Sequence, residues 1–141
     1  MAAARESLFP EVQAFAQELR YGSGEVLVVM IIPSHDKDNR PISTQPAWTE
    51  QEMHLLNDLY GGATAFETLA GIFKDSRGKV LNDKPVLVES YASRTDVENT
   101  KNLERLVGFL KKMGREAKQS AVVVVIGSAF HKVTDFGEPS A

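Results

Sequence analysis

The sequence contains no cysteine. Disulfide scaffolds, thiol nucleophiles, zinc fingers and iron–sulfur clusters are thereby excluded, and a reducing compartment is consistent with the count. It also has no excess of positive charge. Sixteen basic residues stand against nineteen acidic ones, giving a net charge of −3. That balance, with a pI near 5.6, argues against the broad phosphate-binding face of nucleic-acid proteins. Long apolar runs are missing too. A membrane-spanning helix needs about 18 consecutive apolar residues, whereas the apolar runs here, Val26 to Ile32 and Ala121 to Ile126, have the size of strands. The opening MAAARESLF carries one early arginine, no apolar stretch and an acidic Glu6. It therefore predicts no secretory leader, and the expectation is a cytoplasmic protein.

Recognised catalytic and cofactor motifs are absent as well. No G-x-S-x-G, H-E-x-x-H or G-x-G-x-x-G occurs, so no cofactor is expected. The stretch GIFKDSRGKV superficially resembles a phosphate loop. However, six residues separate Gly71 from Gly78 and Val80 stands where Ser or Thr is required. There is no internal repeat and no low-complexity segment.

What is present is an ordinary globular composition, 43% hydrophobic and 25% charged over 141 residues. That length and balance predict a single domain over residues 1–141. Leu8, Val12, Phe15 and Leu19 recur at helical spacing, predicting an N-terminal helix over about residues 7–20. The core is expected over about residues 25–133. EVLVVMIIPS, from residue 25, reads as a strand buried on both faces. TEQE, Thr49 to Glu52, is a capping box that predicts the start of a helix, stopped by Gly61-Gly62. ATAFETLAGIFKD, residues 63–75, reads as one strand with Gly71 as a bulge. SRG supplies a turn into a paired strand, PVLVESYAS, residues 85–93. Its alternation places Leu87, Glu89 and Tyr91 on one face and Val86, Val88 and Ser90 on the other. A second capping box, TDVE from Thr95, predicts the longest helix, and QSAVVVVIGSAF the last strand. The tail, residues 134–141, reads as frayed.

The order after the first helix is β-α-β-β-α-β, which predicts an α+β fold of ferredoxin-like type with an extra N-terminal helix. In that topology both crossover helices cover one sheet face. Because the first and last strands are apolar throughout, the other face needs a cover. The N-terminal helix is one candidate. A second subunit is another, which would make a homo-oligomer, a dimeric α+β barrel.

Three places can carry chemistry. The first is the loop Ser34-His35-Asp36-Lys37-Asp38, where an apolar strand gives way abruptly to polar residues. Loops fixed by rigid strands often hold binding groups. Lys37 and Arg40 offer positive charge to an anionic ligand, and Ser34 offers a hydroxyl. His35 is a candidate general base, oriented by Asp36 or Asp38. His35, Asp36 and Asp38 are also metal-ligand types, with Glu89 or His131 nearby on other strands, but no spacing matches a ligand motif and no metal is expected. The plainer reading is a solvated loop with Asx turns. The second place is Gly61-Gly62-Ala63-Thr64. Two glycines permit close backbone approach to a ligand, although a helix C-cap alone explains one of them. The third is Glu89, a carboxylate in an otherwise apolar strand, which needs either a partner or a wet face.

The segments IPSHD, LYGGATA, GIFKDSRGK and PVLVESY together resemble a family of small bacterial proteins. Those share an I-P-S strand end, a G-G-A-T step, a G-x-aromatic strand and an acidic residue in the third strand. The resemblance spans residues 26–92. It implies the same α+β fold and a bacterial source, and brings no activity with it. It draws attention to Ser34, Gly61, Gly62, Thr64, Gly71 and Glu89.

The function expected from these features is small-molecule binding or sensing, with an anionic or nucleotide-like ligand held by Ser34, Lys37, Arg40, Gly61, Gly62, Thr64 and Glu89. One alternative is a small dimeric-barrel enzyme using His35 and Glu89 in acid–base chemistry. The other is a purely structural assembly domain.

Overall fold

The computed structural model describes residues 25–137. The helix expected over residues 7–20 and the tail from residue 138 lie outside them. The elements in chain order are β1 (Glu25–Ile32), α1 (Gln45–Tyr60), β2 (Thr64–Glu67), β3 (Gly71–Lys74), β4 (Val80–Asp83), β5 (Val86–Ser93), α2 (Arg94–Glu98), α3 (Thr100–Glu116), β6 (Val122–Ile126) and β7 (Ala129–Val133). The fold is α+β. A five-stranded antiparallel sheet has the order β2-β5-β1-β6-β7, and β3 and β4 form a separate two-stranded sheet.

Alternation along the strands fixes the two faces. Val28, Met30 and Ile32 of β1, Val88 and Ala92 of β5, and Val122 and Val124 of β6 are buried in one core with Leu56 and Leu59 of α1 and Leu106, Leu110 and Met113 of α3. Trp48 of α1 meets Phe109 of α3 edge-on at 5.8 Å between ring centroids, tying the helices together. The opposite face follows from the register. Glu89 pairs with Val29 and Thr64, Tyr91 with Leu27, and Leu87 with Ile31 and Phe66. These residues are half-buried or exposed, so Glu89 lies on the face away from α1 and α3.

Several sequence-based boundaries are corrected. The first long helix begins at Gln45, not at the TEQE box. Pro46 sits in its first turn, a position where a missing N–H costs nothing. Thr49 is already inside the helix, and its hydroxyl donates to the Gln45 carbonyl at 2.8 Å. The strand expected over residues 63–75 is two strands in different sheets. The β2–β5 ladder ends at the Glu67–Val86 pair because Pro85 has no N–H to continue it. The turn at Asp75-Ser76-Arg77-Gly78 does make a hairpin, but it joins β3 to β4 rather than to β5. The Asp75 carboxylate accepts from the Arg77 and Lys79 amides, each at 2.9 Å.

The second capping box is displaced. Ser93, not Thr95, caps α2 by accepting from the Asp96 amide. Asn99 is extended, interrupts the helix and caps α3 through the Asn102 amide. The last predicted strand is a hairpin, since Gly127 has φ of 63° and turns the chain from β6 into β7. Residues 134–137 are tied to α3. Phe136 lies over Gly114, where an added Cβ would collide with its ring, and the Arg115 guanidinium donates to the Phe136 carbonyl.

Candidate functional site

Helix α1 ends as the sequence demands. Gly61 has φ of 89° and its amide donates to the Asn57 carbonyl at 2.8 Å, closing a left-handed cap. Gly62 has no such conformational requirement, and a Cβ on either glycine would meet nothing within 4 Å. Strand β2 then starts at Thr64, opposite Glu89. Residues Ser90–Ser93 of β5 therefore extend past their edge neighbour. The notch left there is a cavity of ≈ 230 Å³ lined by Tyr60, Gly61, Gly62, Ala63, Thr64, Glu89, Ser90 and Tyr91.

Each wall offers different chemistry. Glu89 supplies carboxylate oxygens. Tyr91 presents an aromatic ring that is 62% exposed, suited to stacking on a flat ligand. The Ser90 hydroxyl donates to the Gly62 carbonyl at 2.5 Å and so fixes the glycine step against β5. Tyr60 places its hydroxyl in the interior without a hydrogen-bond partner among the described residues. Burial, reinforced by the negative charge of Asp96, raises its pKa above the usual phenol value.

The Ser34 loop forms a second cluster. Glu89 pairs with Val29, five residues before Ser34, so the clusters lie roughly 16 Å apart along the β1 direction. The structure thus brings Gly61, Gly62, Thr64 and Glu89 together. It does not bring Ser34, His35, Lys37 or Arg40 to them.

The Ser34 hydroxyl donates to the Asp83 carboxylate in a very short contact, accepts from the Lys84 amide at 2.8 Å and lies 2.7 Å from His35 Nδ1. One arrangement satisfies every group: Nδ1–H of His35 donates to Ser34, which then has one donor and two acceptors in use. In a nucleophilic relay the carboxylate orients the histidine. Here Asp83 holds the serine, so the residue types of a triad form a structural knot between β1 and the β3–β4 hairpin. Gln119 donates to the His35 carbonyl at 2.8 Å.

Asp36 makes the expected Asx turns, accepting from the Asp38 and Arg40 amides. The Arg40 amide is the leading cause that lowers its pKa, against a smaller opposing effect of desolvation. Lys37 and Arg40 are exposed. Among the described residues no group of three or more His, Cys, Asp or Glu side chains converges as a cation site. No helix among them is long and apolar enough to cross a membrane.

Sequence reasoning missed Tyr60, Ser90, Asp83 and Glu52. Glu52 is fully buried on α1, and both its carboxyl oxygens lack a partner among the described residues. Burial raises its pKa well above the ordinary value. Its spacing of four from both Trp48 and Leu56 was the available signal, because it puts all three on one helix face. Asp83 gave none, since its role depends on contacts far apart in sequence.

No protein-family model matches the sequence, and among curated proteins no match was found. Two solved structures share the fold. One is a phage SAM lyase in complex with S-methyl-5′-thioadenosine, at TM-score 0.62 and 14% identity, covering 82% of this chain and 94% of that one. The other is a phage SAM lyase in the apo state, at TM-score 0.61 and 13% identity, covering 85% and 97%.

Proposed function

We propose that this chain binds a small nucleoside-type molecule in the notch between the Gly61-Gly62 step and β5. The observation that carries the reading is the meeting of four features at one cavity: an open glycine step, Thr64, the Glu89 carboxylate and the exposed Tyr91 ring. A ribose offers vicinal hydroxyls that a carboxylate accepts from, and a purine offers a flat face for an aromatic ring. The likeness to a fold that in one solved structure holds S-methyl-5′-thioadenosine supports the same ligand class. Lys37 and Arg40 stand apart from the notch, which favours a neutral or nucleoside-like ligand over a strongly anionic one. The strand order β2-β5-β1-β6, with β1 and β2 parallel and β5 between them, supports reading the core as ferredoxin-like.

Isothermal titration with S-methyl-5′-thioadenosine and with adenosine tests this reading. Binding is expected, and Glu89→Gln weakens it by about tenfold or more, the cost of one charge-assisted hydrogen bond. Lys37→Ala and Arg40→Ala leave it within about twofold. Absence of binding by both nucleosides at millimolar concentration overturns the reading.

The second reading is an enzyme in which Glu89 acts alone as the acid–base group, because His35 lies in the other cluster. Turnover of a nucleoside substrate that is lost in Glu89→Gln and retained in His35→Ala would favour it. A dimeric barrel would instead require a second copy over the face around Glu89, with Leu27, Val29, Ile31, Phe66, Leu87 and Tyr91, and such a dimer would be indifferent to substitutions on α3.

A further inference from the structure

The outer flank of α3 carries a shallow groove of ≈ 400 Å³ lined by Thr100, Leu103, Glu104, Val107, Gly108 and Lys111. These residues follow one helical stripe, at spacings of three and four. The stripe is not the core face, which is built from Leu106, Leu110 and Met113. Nor does it face α1, to which Arg105 reaches with a 2.7 Å ion pair to Asp58. It is also separate from the ligand notch and from the open sheet face.

The groove is self-complementary. Glu104 and Lys111 lie at equal distances from the midpoint between Val107 and Gly108. Val107 is 39% exposed, and Gly108 has open space where a side chain would be. Two copies packed antiparallel about that midpoint would set the Val107 side chain of each into the Gly108 notch of the other. Glu104 of each would face Lys111 of its mate, twice over. Among the described residues neither Glu104 nor Lys111 has an ion-pair partner within the chain.

We infer that α3 is a homodimerisation surface on which a second copy of this chain packs antiparallel, Val107 into Gly108 and Glu104 against Lys111. A two-fold interface presents the same patch on both subunits, and this patch meets that condition in shape and in charge. The contact is a small one, so the dimer is of the weak, concentration-dependent kind.

Sedimentation equilibrium of the full chain over a range of concentrations provides the test. The wild-type chain is expected to dimerise reversibly. Glu104→Lys and Lys111→Glu each place like charges in contact and weaken association by about tenfold or more. The double variant restores the pairing and returns association to within about threefold of wild type. Gly108→Leu fills the notch and abolishes association while circular dichroism shows an intact and no less stable fold, since leucine is the better helix former.

The absence of cysteine allows a direct geometric check. Residues 104 and 111 are about 10 Å apart along one helix, too far for a disulfide within the chain, which needs Cα atoms within about 7 Å. Glu104→Cys combined with Lys111→Cys is therefore expected to give a covalent dimer on oxidation or with a short bismaleimide. Either cysteine alone gives little. A chain that is monomeric at every concentration overturns the inference. So does an oligomer indifferent to the charge and Gly108 variants, or a double-cysteine variant that links no faster than the single ones.

Discussion

Burial, with no hydrogen-bond partner among the described residues, keeps the Glu52 carboxyl protonated in the folded chain well above its ordinary range. The unfolded chain ionises near the ordinary value of about 4.3. Below that pH both states are neutral and Glu52 costs nothing through ionisation. As pH rises above it the unfolded state loses its proton first, so stability falls until the folded-state value is passed. Glu52→Leu is expected to remove this slope and to raise stability at pH 7 by about 1–3 kcal/mol. Urea unfolding between pH 4 and pH 8 measures it, and parallel curves for the two proteins would rule it out. The two glycines at the end of α1 separate cap from site in the same way. Gly61→Ala forces a left-handed conformation on alanine and costs about 1 kcal/mol. Gly62→Ala is expected to change stability by no more than about 0.5 kcal/mol but puts a methyl group into the notch, so it is expected to weaken the nucleoside binding proposed there. Thermal melts and titrations of the pair decide between the two roles.

Among the elements, boundaries set by local chemistry behave differently from those set by contacts between distant residues. Asn99 offers its side chain to the Asn102 amide, so Asn99→Ala is expected to cost about 1 kcal/mol in thermal unfolding. The strand at β1 was legible from its continuous apolar run, but it is not buried on both faces, since Val28, Met30 and Ile32 are buried while Leu27, Val29 and Ile31 are only half-buried. The alternation along β5 was legible because burial imposes a period of two on the sequence. The Glu89 and Val88 faces follow that reading residue for residue. The split of residues 63–75 was not legible, because it depends on Pro85 arriving opposite the end of β2. The hairpin turn at Asp75–Gly78 was recognisable from its residues, whereas its true partner strand was not. The site was legible in halves. Its glycine step and carboxylate stand out in sequence, but only the β2–β5 register shows that they share a notch and that the Ser34 loop does not. Likewise, nothing local marks residues 134–137 as held. Gly114→Ala is expected to push the Phe136 ring out and release those residues while α3 persists. Loss of amide protection at residues 134–137, with protection in α3 unchanged, is the outcome to look for.

At the scale of the whole molecule, one core joins the sheet to α1 and α3, and its loss unfolds everything at once. Leu110→Ala removes a buried side chain between α3 and the sheet and is expected to cost about 2–5 kcal/mol in denaturant unfolding. The β3–β4 hairpin stands outside this unit. Its two strands pair only with each other, Pro85 blocks any ladder into β5, and Ile72 remains 71% exposed. Its main anchor is the Ser34–Asp83 knot. The chain is therefore expected to melt in two steps of unequal strength. Warming should open the hairpin while the five-stranded sheet is intact, and Ser34→Ala is expected to lower that first transition without touching the second. A protease applied in the interval between them would cut near Arg77 and leave a nicked molecule whose sheet, notch and α3 still hold together.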